Sequence, residues 1–598
     1  MRTTTSLLLG VSTVLGAVTF FSACGSTEST CQERGDCANP CGDPSYAVAH
    51  PDLCPDAGTG GTGGTAGSGG TGGVGGVGGD SDAAGDAGSG GEGGVAGQDA
   101  GDAGDAADVE AGGSGGDDAG DAEAEAYCDP ASMPEDDPCV IHEDHGVFVS
   151  PTGSDDASCG TRSGPCQTLT RGMTNAKAAG KRVYACGDGG AYVESLTIGA
   201  SLDGLLVLGG FQCSDWSYEP TSVRAAVEPA TGPALVVEGL TEGVDFRSFA
   251  FRSADATGSG ESSVAGIVRS SSGVVFRGCS FEAGAGAAGV DGTSGGAGES
   301  VPLVGAEQQG DNSTCGTSAA NSGGAWLTPF VCAAGGTTLG GAGGTALYSN
   351  KDGLPGDRGT PITDITALDL GDGGPGGTST DKGGKNGELG SDGNAGENGT
   401  AAVAGVLSEA GYTPADGGNG TNGRPAQGGG GGGASWSITG CVGPSGGAGG
   451  LGGCGGFAGT KGTGGGASIA LLAWSSTVTL EDCSLTSAGG GKGGDGGDGG
   501  GGSLGANGHI GGGAIHAGMV GAGAGAPGGN GGPGGSGSGG TGGPSHAIVF
   551  HGSEPVQQGA MTLTPGTGGP KGVGGQASGG LKAPDGLEGA SAGVFEVP

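Results

Sequence analysis

Of 598 residues, 158 are glycine and only 4% are aromatic, where glycine ordinarily takes about 7%, so much of the chain cannot bury a conventional apolar core. Sixty-three acidic residues face 21 basic ones, a net charge of -42, which repels nucleic acid and anionic headgroups and argues against a nucleic-acid partner. Seventeen cysteines point to an oxidising compartment.

Residues 1–23 carry Arg2, an apolar run from Leu7 to Phe21 and the small pair Ser22-Ala23, the polarity of an export signal. Phe21-Ser22-Ala23-Cys24 resembles the bacterial lipobox, with Phe21 where leucine is usual. The resemblance implies a diacylated Cys24. Gly25 is not the aspartate that favours inner-membrane retention, so an outer-membrane or cell-surface location is expected. The alternative is an ordinary secretory cut with Cys24 unmodified. Setting Cys24 aside leaves an even number of cysteines, which can pair fully.

Residues 24–57 form a small Cys-rich segment with Cys31, Cys37, Cys41 and Cys54. No CxxC pair occurs and only His50 is near, so two disulfides are expected rather than a zinc site, with three pairings open. Residues 58–126 lack aromatic, Lys and Arg residues, and Asp80 to Glu125 carries 14 acidic ones. Such a stretch is expected to be a disordered, extended tether. Gly112 to Asp117 matches the first six positions of the RTX calcium nonapeptide, but no tandem array follows, which favours the tether.

Order is expected to resume at Tyr127, in a segment 127–283 with Cys128, Cys139, Cys159, Cys166, Cys186 and Cys213 as disulfide candidates. The spacing of Leu169, Met173 and Ala176 predicts a cap helix over 169–179, stopped by Gly180. Strands are predicted at Gly146–Ser150, Val183–Cys186, Tyr192–Ile198, Leu205–Phe211, Ala234–Val237 and Val244–Phe251. The runs FVSPTGSDD, PCQTLTRGMTNAKAAGKRVYACGDGGAYVESLTI and LLVLGGF resemble the N-terminal region of pectin-lyase-like proteins, among them secreted and surface lipoproteins of large-genome gliding bacteria. The resemblance implies an all-β fold, a right-handed parallel β-helix, and almost nothing about activity, because that fold hosts lyases, hydrolases, adhesins and spacers alike.

SVAGIVRSSSGVVFRGCSFEAG returns about two hundred positions later as ASIALLAWSSTVTLEDCSLTSAG. Two coils of one solenoid are expected, stacked directly, with Cys279 and Cys483 at the same site on adjacent coils, bonded or merely stacked. Residues 284–466 are then a glycine-rich insertion, 467–488 the returning coil, 489–545 a second glycine-rich segment, and 546–598 a last coil with a glycine-rich end. Glycine falls every third residue at 286–298, 384–399, 447–465, 490–511 and 528–543. That is the register of threefold helices, and the GGxGGx pattern resembles PGRS surface domains. Polyglycine II bundles and plain disorder are both compatible with it. The apolar islands 326–331, 362–370, 401–407 and 435–442 are candidate short strands. The cysteines nearest in sequence there suggest Cys315–Cys332 and Cys441–Cys454 pairs.

No catalytic constellation emerges. His142-Glu143-Asp144-His145 departs from HExxH and sits among turn residues, which predicts a solvated turn. His546 and His551 are expected to flank a coil turn without binding metal. A lyase would need calcium-bound acids and a basic residue on one exposed face. Asp245, Arg247, Glu481 and Asp482 are the nearest candidates, with strand alternation putting Glu481 and Asp482 on opposite faces. The expectation is a non-enzymatic surface lipoprotein, structural or adhesive, with no cofactor. It would be bound to the outer membrane by its lipid and free to meet extracellular glycans or surface proteins. A carbohydrate-active β-helix enzyme and a calcium-dependent binding module are the alternatives. A cleft with two carboxylates beside an Arg or Lys would mark the enzyme.

Overall fold

The computed structural model describes residues 128–362 and 369–598; the export signal, Cys24, the Cys31–Cys54 segment and the tether lie outside the described residues. The chain begins with β1 (Gly146–Val149), α1 (Leu169–Ala179), β2 (Arg182–Cys186), β3 (Leu196–Ile198), β4 (Leu205–Phe211) and β5 (Ala225–Val227). It continues through β6 (Leu235–Glu238), β7 (Val244–Arg247), β8 (Phe249–Arg252), β9 (Ser263–Arg269), β10 (Val274–Arg277) and β11 (Ser280–Ala283). Short strands follow: β12 (Thr314–Cys315), β13 (Phe330–Val331), β14 (Thr337–Thr338), β15 (Val406–Ser408), β16 (Gly411–Thr413) and β17 (Cys441–Val442). Then come β18 (Ser468–Trp474), β19 (Val478–Glu481), β20 (Ser484–Ser487), β21 (Ser545–His551), β22 (Val556–Gln558), β23 (Thr562–Thr564) and β24 (Ser591–Glu596).

The long-range pairing is parallel and falls into three sheets. The first has the order β1-β2-β4-β7-β10-β19-β22, the second β5-β8-β11-β20-β23, and the third β3-β6-β9-β18-β21-β24. From β3 onward successive long strands enter the third, first and second sheets in rotation, so each triplet makes one layer. Alternation decides which side chains face inward: Val274 and Phe276 of β10 are buried while Val275 and Arg277 are half-buried. Register then stacks like on like. Phe246, Phe276 and Leu480 share one column, and Phe251, Phe281 and Leu485 another, all fully buried. Each such side chain contributes about 1.5–3 kcal/mol on leaving water.

Corners between sheets recur at fixed places with left-handed backbone. Ser248, Gly278, Asp482 and Gly559 end strands of the first sheet at φ 58, 59, 52 and 67. Gly239, Ser270, Ser475 and Gly552 do the same after the third. Hence the stretch 244–251 is not one strand but two, broken at Ser248. Tyr192 is likewise a single bridge to Val227 rather than part of β3, its hydroxyl donating to the carbonyls of Val149 and Cys186 at 2.9 and 3.0 Å.

Helix α1 closes one end of the stack, burying Leu169, Met173 and Ala176 in the same cluster as Val149, Val183 and Val207. Thr168 caps it through the Arg171 N–H, and Gly180 ends it at φ 65, as side-chain capping and a left-handed C-terminus require. Glu194 accepts from the N–H groups of Leu169 and Thr170, a carboxylate at the positive end of the helix.

The insertion leaves after β11 and returns at β18, which pairs directly with β9. In between, the glycine-rich chain forms extended segments tied together at every third residue. Gly286, Gly289, Gly292, Gly295 and Gly298 donate in turn to the carbonyls of Gly489, Lys492, Asp495, Asp498 and Gly501. Running the other way, Gly491, Gly494, Gly497 and Gly500 donate to Gly466, Thr463, Thr460 and Phe457. Segments from 284–466, 489–545 and 565–590 therefore share one bundle, so the stretches read as separate from sequence are not separate in space.

The run Gly428–Gly433 shows why glycine is needed. Its N–H groups donate to Thr360, Gly450, Glu388, Asp357, Gly447 and Lys385 in order, so three neighbouring segments accept in rotation. A Cβ added along the run would strike carbonyls of three others, at Leu339, Ala526, Asp372, Ala342, Gly523 and Pro375. A threefold helix has three rows of side-chain positions. An enclosed segment has no free row and is all glycine, whereas a surface segment such as 490–498 frees one row and reads GGx.

Disulfides join Cys128–Cys139, Cys159–Cys166 and Cys186–Cys213. In the bundle the bonds are Cys315–Cys441 and Cys332–Cys454, which corrects the pairing by sequence proximity. Neighbours in the bundle are set by lateral packing, and β12 lies antiparallel to β17 with Cys315 opposite Cys441. Of the apolar islands, 326–331 supplies β13, 401–407 the start of β15, and 435–442 supplies β17.

Candidate functional site

The outer face of the first sheet brings together three of the four acidic and basic residues singled out in the sequence. Arg247, Arg277 and Glu481 are lateral neighbours on β7, β10 and β19. Asp245 accepts from Arg247 at 3.0 Å and from Arg277 at 3.4 Å, Arg277 contacts Glu481, and Glu135 lies 3.8 Å from Arg247. Every carboxylate in this group is paired with a guanidinium, and the group ties three layers together. Asp482 is elsewhere. It occupies a left-handed corner, where strand alternation does not apply, and its carboxylate accepts from Ala560 N–H at 2.7 Å.

A cleft of about 430 Å³ opens where the β15–β16 hairpin meets the third sheet. Leu407 and Tyr412 of the hairpin pack on an apolar outer face made by Val264, Ile267, Ile469, Leu472 and Val549. Glu238, Arg269, Ser270 and Glu409 line the opening. Two carboxylates and an arginine are thus present in one cleft. Arg269, however, donates to Glu238 through two nitrogens at 2.6 and 2.9 Å, leaving only Glu409 unengaged. Acid–base hydrolysis with two carboxylates needs one acid and one free carboxylate.

A second cleft, of about 570 Å³, lies on the bundle beside Asn394, Glu397, Thr421, Asn422 and Arg424. Asn422 is tied at both ends of its amide, donating to Ala334 O and accepting from Ala458 N–H, each at 2.8 Å. His142 is an exposed turn residue whose Nδ1 sits 3.2 Å from Asp144. His546 and His551 lie in one strand rather than flanking a turn. His546 stacks on Phe595 at 4.6 Å and His551 on Trp474 at 4.5 Å. Burial lowers the affinity of His546 for a proton. Where acidic residues cluster with cysteines, as Glu299 does with Cys332 and Cys454, the sulfurs are bonded to each other and cannot act as thiolate ligands.

Cys279 and Cys483 occupy equivalent positions on adjacent layers, between the registered pairs Arg277/Glu481 and Ser280/Ser484. Both are buried and unbonded. Their thiols point to the carbonyls of Phe246 and Phe276 at 3.5 and 3.4 Å, and burial pushes the Cys279 thiol well above its usual range.

The sequence reading missed a set of residues that act on backbone. Asp203 accepts from the N–H groups of Thr241, Glu242 and Gly243 at 2.7–3.0 Å; these hydrogen bonds hold its carboxyl well below the ordinary range, against the opposing effect of desolvation. On the bundle surface the free-row side chains bind the next segment. Asp291 accepts from Asp495 N–H, Asp495 from Val573 N–H, and Asp498 from Gln576 N–H, at 2.7–2.8 Å. The available signal was Asp, Asn, Ser or Thr recurring at x in GGx.

No protein-family model matches the chain, and no curated protein or solved structure does either.

Proposed function

We propose that the chain is a non-enzymatic outer-surface lipoprotein anchored through Cys24. In this reading a right-handed parallel β-helix carries a bundle of polyglycine II helices, and the role is structural or adhesive. The observation that carries the reading is the bundle itself. Its segments satisfy their backbone groups against one another and bring one row of side chains to the surface; Asp291, Asp495 and Asp498 of that row bind the next segment, while surface positions that make no such bond can vary without disturbing the support beneath. The acyl chain would hold this body at the outer membrane, and the outward rows would meet extracellular glycans or surface proteins.

Cys24→Ser is expected to move the protein from the detergent phase to the soluble periplasmic or secreted fraction, because a membrane hold of this kind depends on its acyl chains. Partitioning equal to wild type removes the anchor. The Glu238–Arg269–Glu409 cleft is the one feature favouring a carbohydrate-active enzyme. Incubation with acidic and neutral polysaccharides should release neither unsaturated products nor new reducing ends. Product formation that disappears in Glu409→Gln would overturn the non-enzymatic reading.

A further inference from the structure

The two ends of the layered stack differ. At one end α1 covers the core. At the other, β22, β23 and β24 are the edge strands of their sheets and no described element covers them. Inward columns that are fully buried through the stack reach water there. Leu485 is followed by Leu563, Ile548 by Val594, and Leu480 by Gln557; Leu563 and Val594 are half-exposed and Gln557 is exposed. Val556 on the outer side is 52% exposed. An uncovered row of strand edges over a partly apolar cross-section is a pairing surface.

We propose that this open end docks onto the same end of a second copy of the chain, β24 pairing antiparallel with its counterpart about a twofold axis. The surface is continuous with the interface that joins each layer to the next, and a cross-section of the same shape is what another copy presents. A twofold through the third sheet lays the first sheet of one copy over the second sheet of the other, so all three edges find partners. The opposite end is closed by α1, so association stops at two rather than growing into a filament. Gln557 at the end of the Phe246–Phe276–Leu480 column makes the surface mixed rather than wholly apolar, as in interfaces that form and dissociate.

Pairing of the six residues of β24 about its centre sets Ser591 opposite Glu596 of the second copy. Both are exposed. Charge at residue 591 is therefore the test, in the full chain carrying Cys24→Ser so that acyl groups add no association of their own. Sedimentation should give the mass of two chains, dissociating on dilution. Ser591→Lys, which places one positive charge opposite Glu596 in each of two symmetric pairs, should lower the dissociation constant about tenfold and Ser591→Glu should raise it similarly. Both variants lose the Ser591 hydroxyl bond to Gly566 O, so the comparison between them isolates charge. A single-chain mass at every concentration overturns the proposal, and so does a dimer whose affinity is the same in the two variants.

Discussion

Gly431→Ala is expected to destabilise the glycine-rich bundle by about 3 kcal/mol or more, at the upper end of overpacking costs, while Gly296→Ala is expected to leave it unchanged or stabilise it by about 0.4–1 kcal/mol. The substitutions are chemically identical. At Gly431 the new methyl would fall on the carbonyl of Ala342, with the carbonyl of Gly341 beyond it. Those groups belong to backbone already bonded on other sides, Gly341 donating to Gly429 and Asp357 to Ala342, so they cannot withdraw without breaking neighbours. At Gly296 the nearest atom is the Phe457 ring edge at 3.7 Å, ordinary contact, and alanine lowers the entropy of the unfolded chain. Chemical denaturation together with amide exchange in segments 339–344 and 428–433 separates the cases. Equal stability of the two variants would mean that glycine is there for composition and not for packing.

Removing both bundle disulfides, by Cys→Ser at 315, 332, 441 and 454, is expected to cost about 8 kcal/mol, and removing either one alone about 3.5 kcal/mol. Each bond closes a loop of more than a hundred residues, with sequence separations of 126 and 122. In the chain-entropy account a loop of that size is worth about 4.7 kcal/mol by itself. The bonds interlace, Cys332 lying inside the loop closed by Cys315–Cys441 and Cys454 outside it, so with either bond in place the other closes only the path through 315–332 and 441–454. That path of about 30 residues is worth about 3.5 kcal/mol, and the double loss should exceed the sum of the single losses by about 1 kcal/mol. Urea titration of the two double variants and the quadruple variant gives the three differences directly, and a single-bond loss below about 1 kcal/mol would contradict the loop argument.

Much of the layered part was legible because its signals are local. Leu169, Met173 and Ala176 with Gly180 mark a helix whichever fold surrounds it, and the return of SVAGIV as ASIALL placed Cys279 over Cys483 across the insertion. Ser248 was hidden because serine carries no strong signal for a left-handed backbone, unlike glycine at the equivalent Gly278. The bundle was legible only as a period. Nothing local distinguishes Gly428–Gly433, which has the written form of a linker, from the enclosed segment it is, and the crossed disulfides follow from lateral neighbours that no spacing encodes. The grouping of Asp245, Arg277 and Glu481 likewise depends on register between strands up to 236 positions apart, Asp245 to Glu481.

The hydrogen bonding of the bundle also governs how the protein ages chemically. Asn–Gly is the sequence most prone to deamidation, in which the glycine nitrogen attacks the asparagine side-chain carbonyl carbon and expels ammonia. Here Gly387, Gly399, Gly420, Gly423 and Gly531 each donate that N–H to a neighbouring segment at 2.8–3.0 Å. The preceding Asn386, Asn398, Asn419 and Asn422 hold backbone N–H groups through Oδ1. Nucleophile and electrophile are both pinned, and turning the nitrogen inward would break the lattice. Isoaspartate at these sites, read by peptide mapping after prolonged storage, should stay near zero while the bundle is closed and rise once denaturant opens it. At these five sites the glycine lattice sets the protein's shelf life as well as its shape.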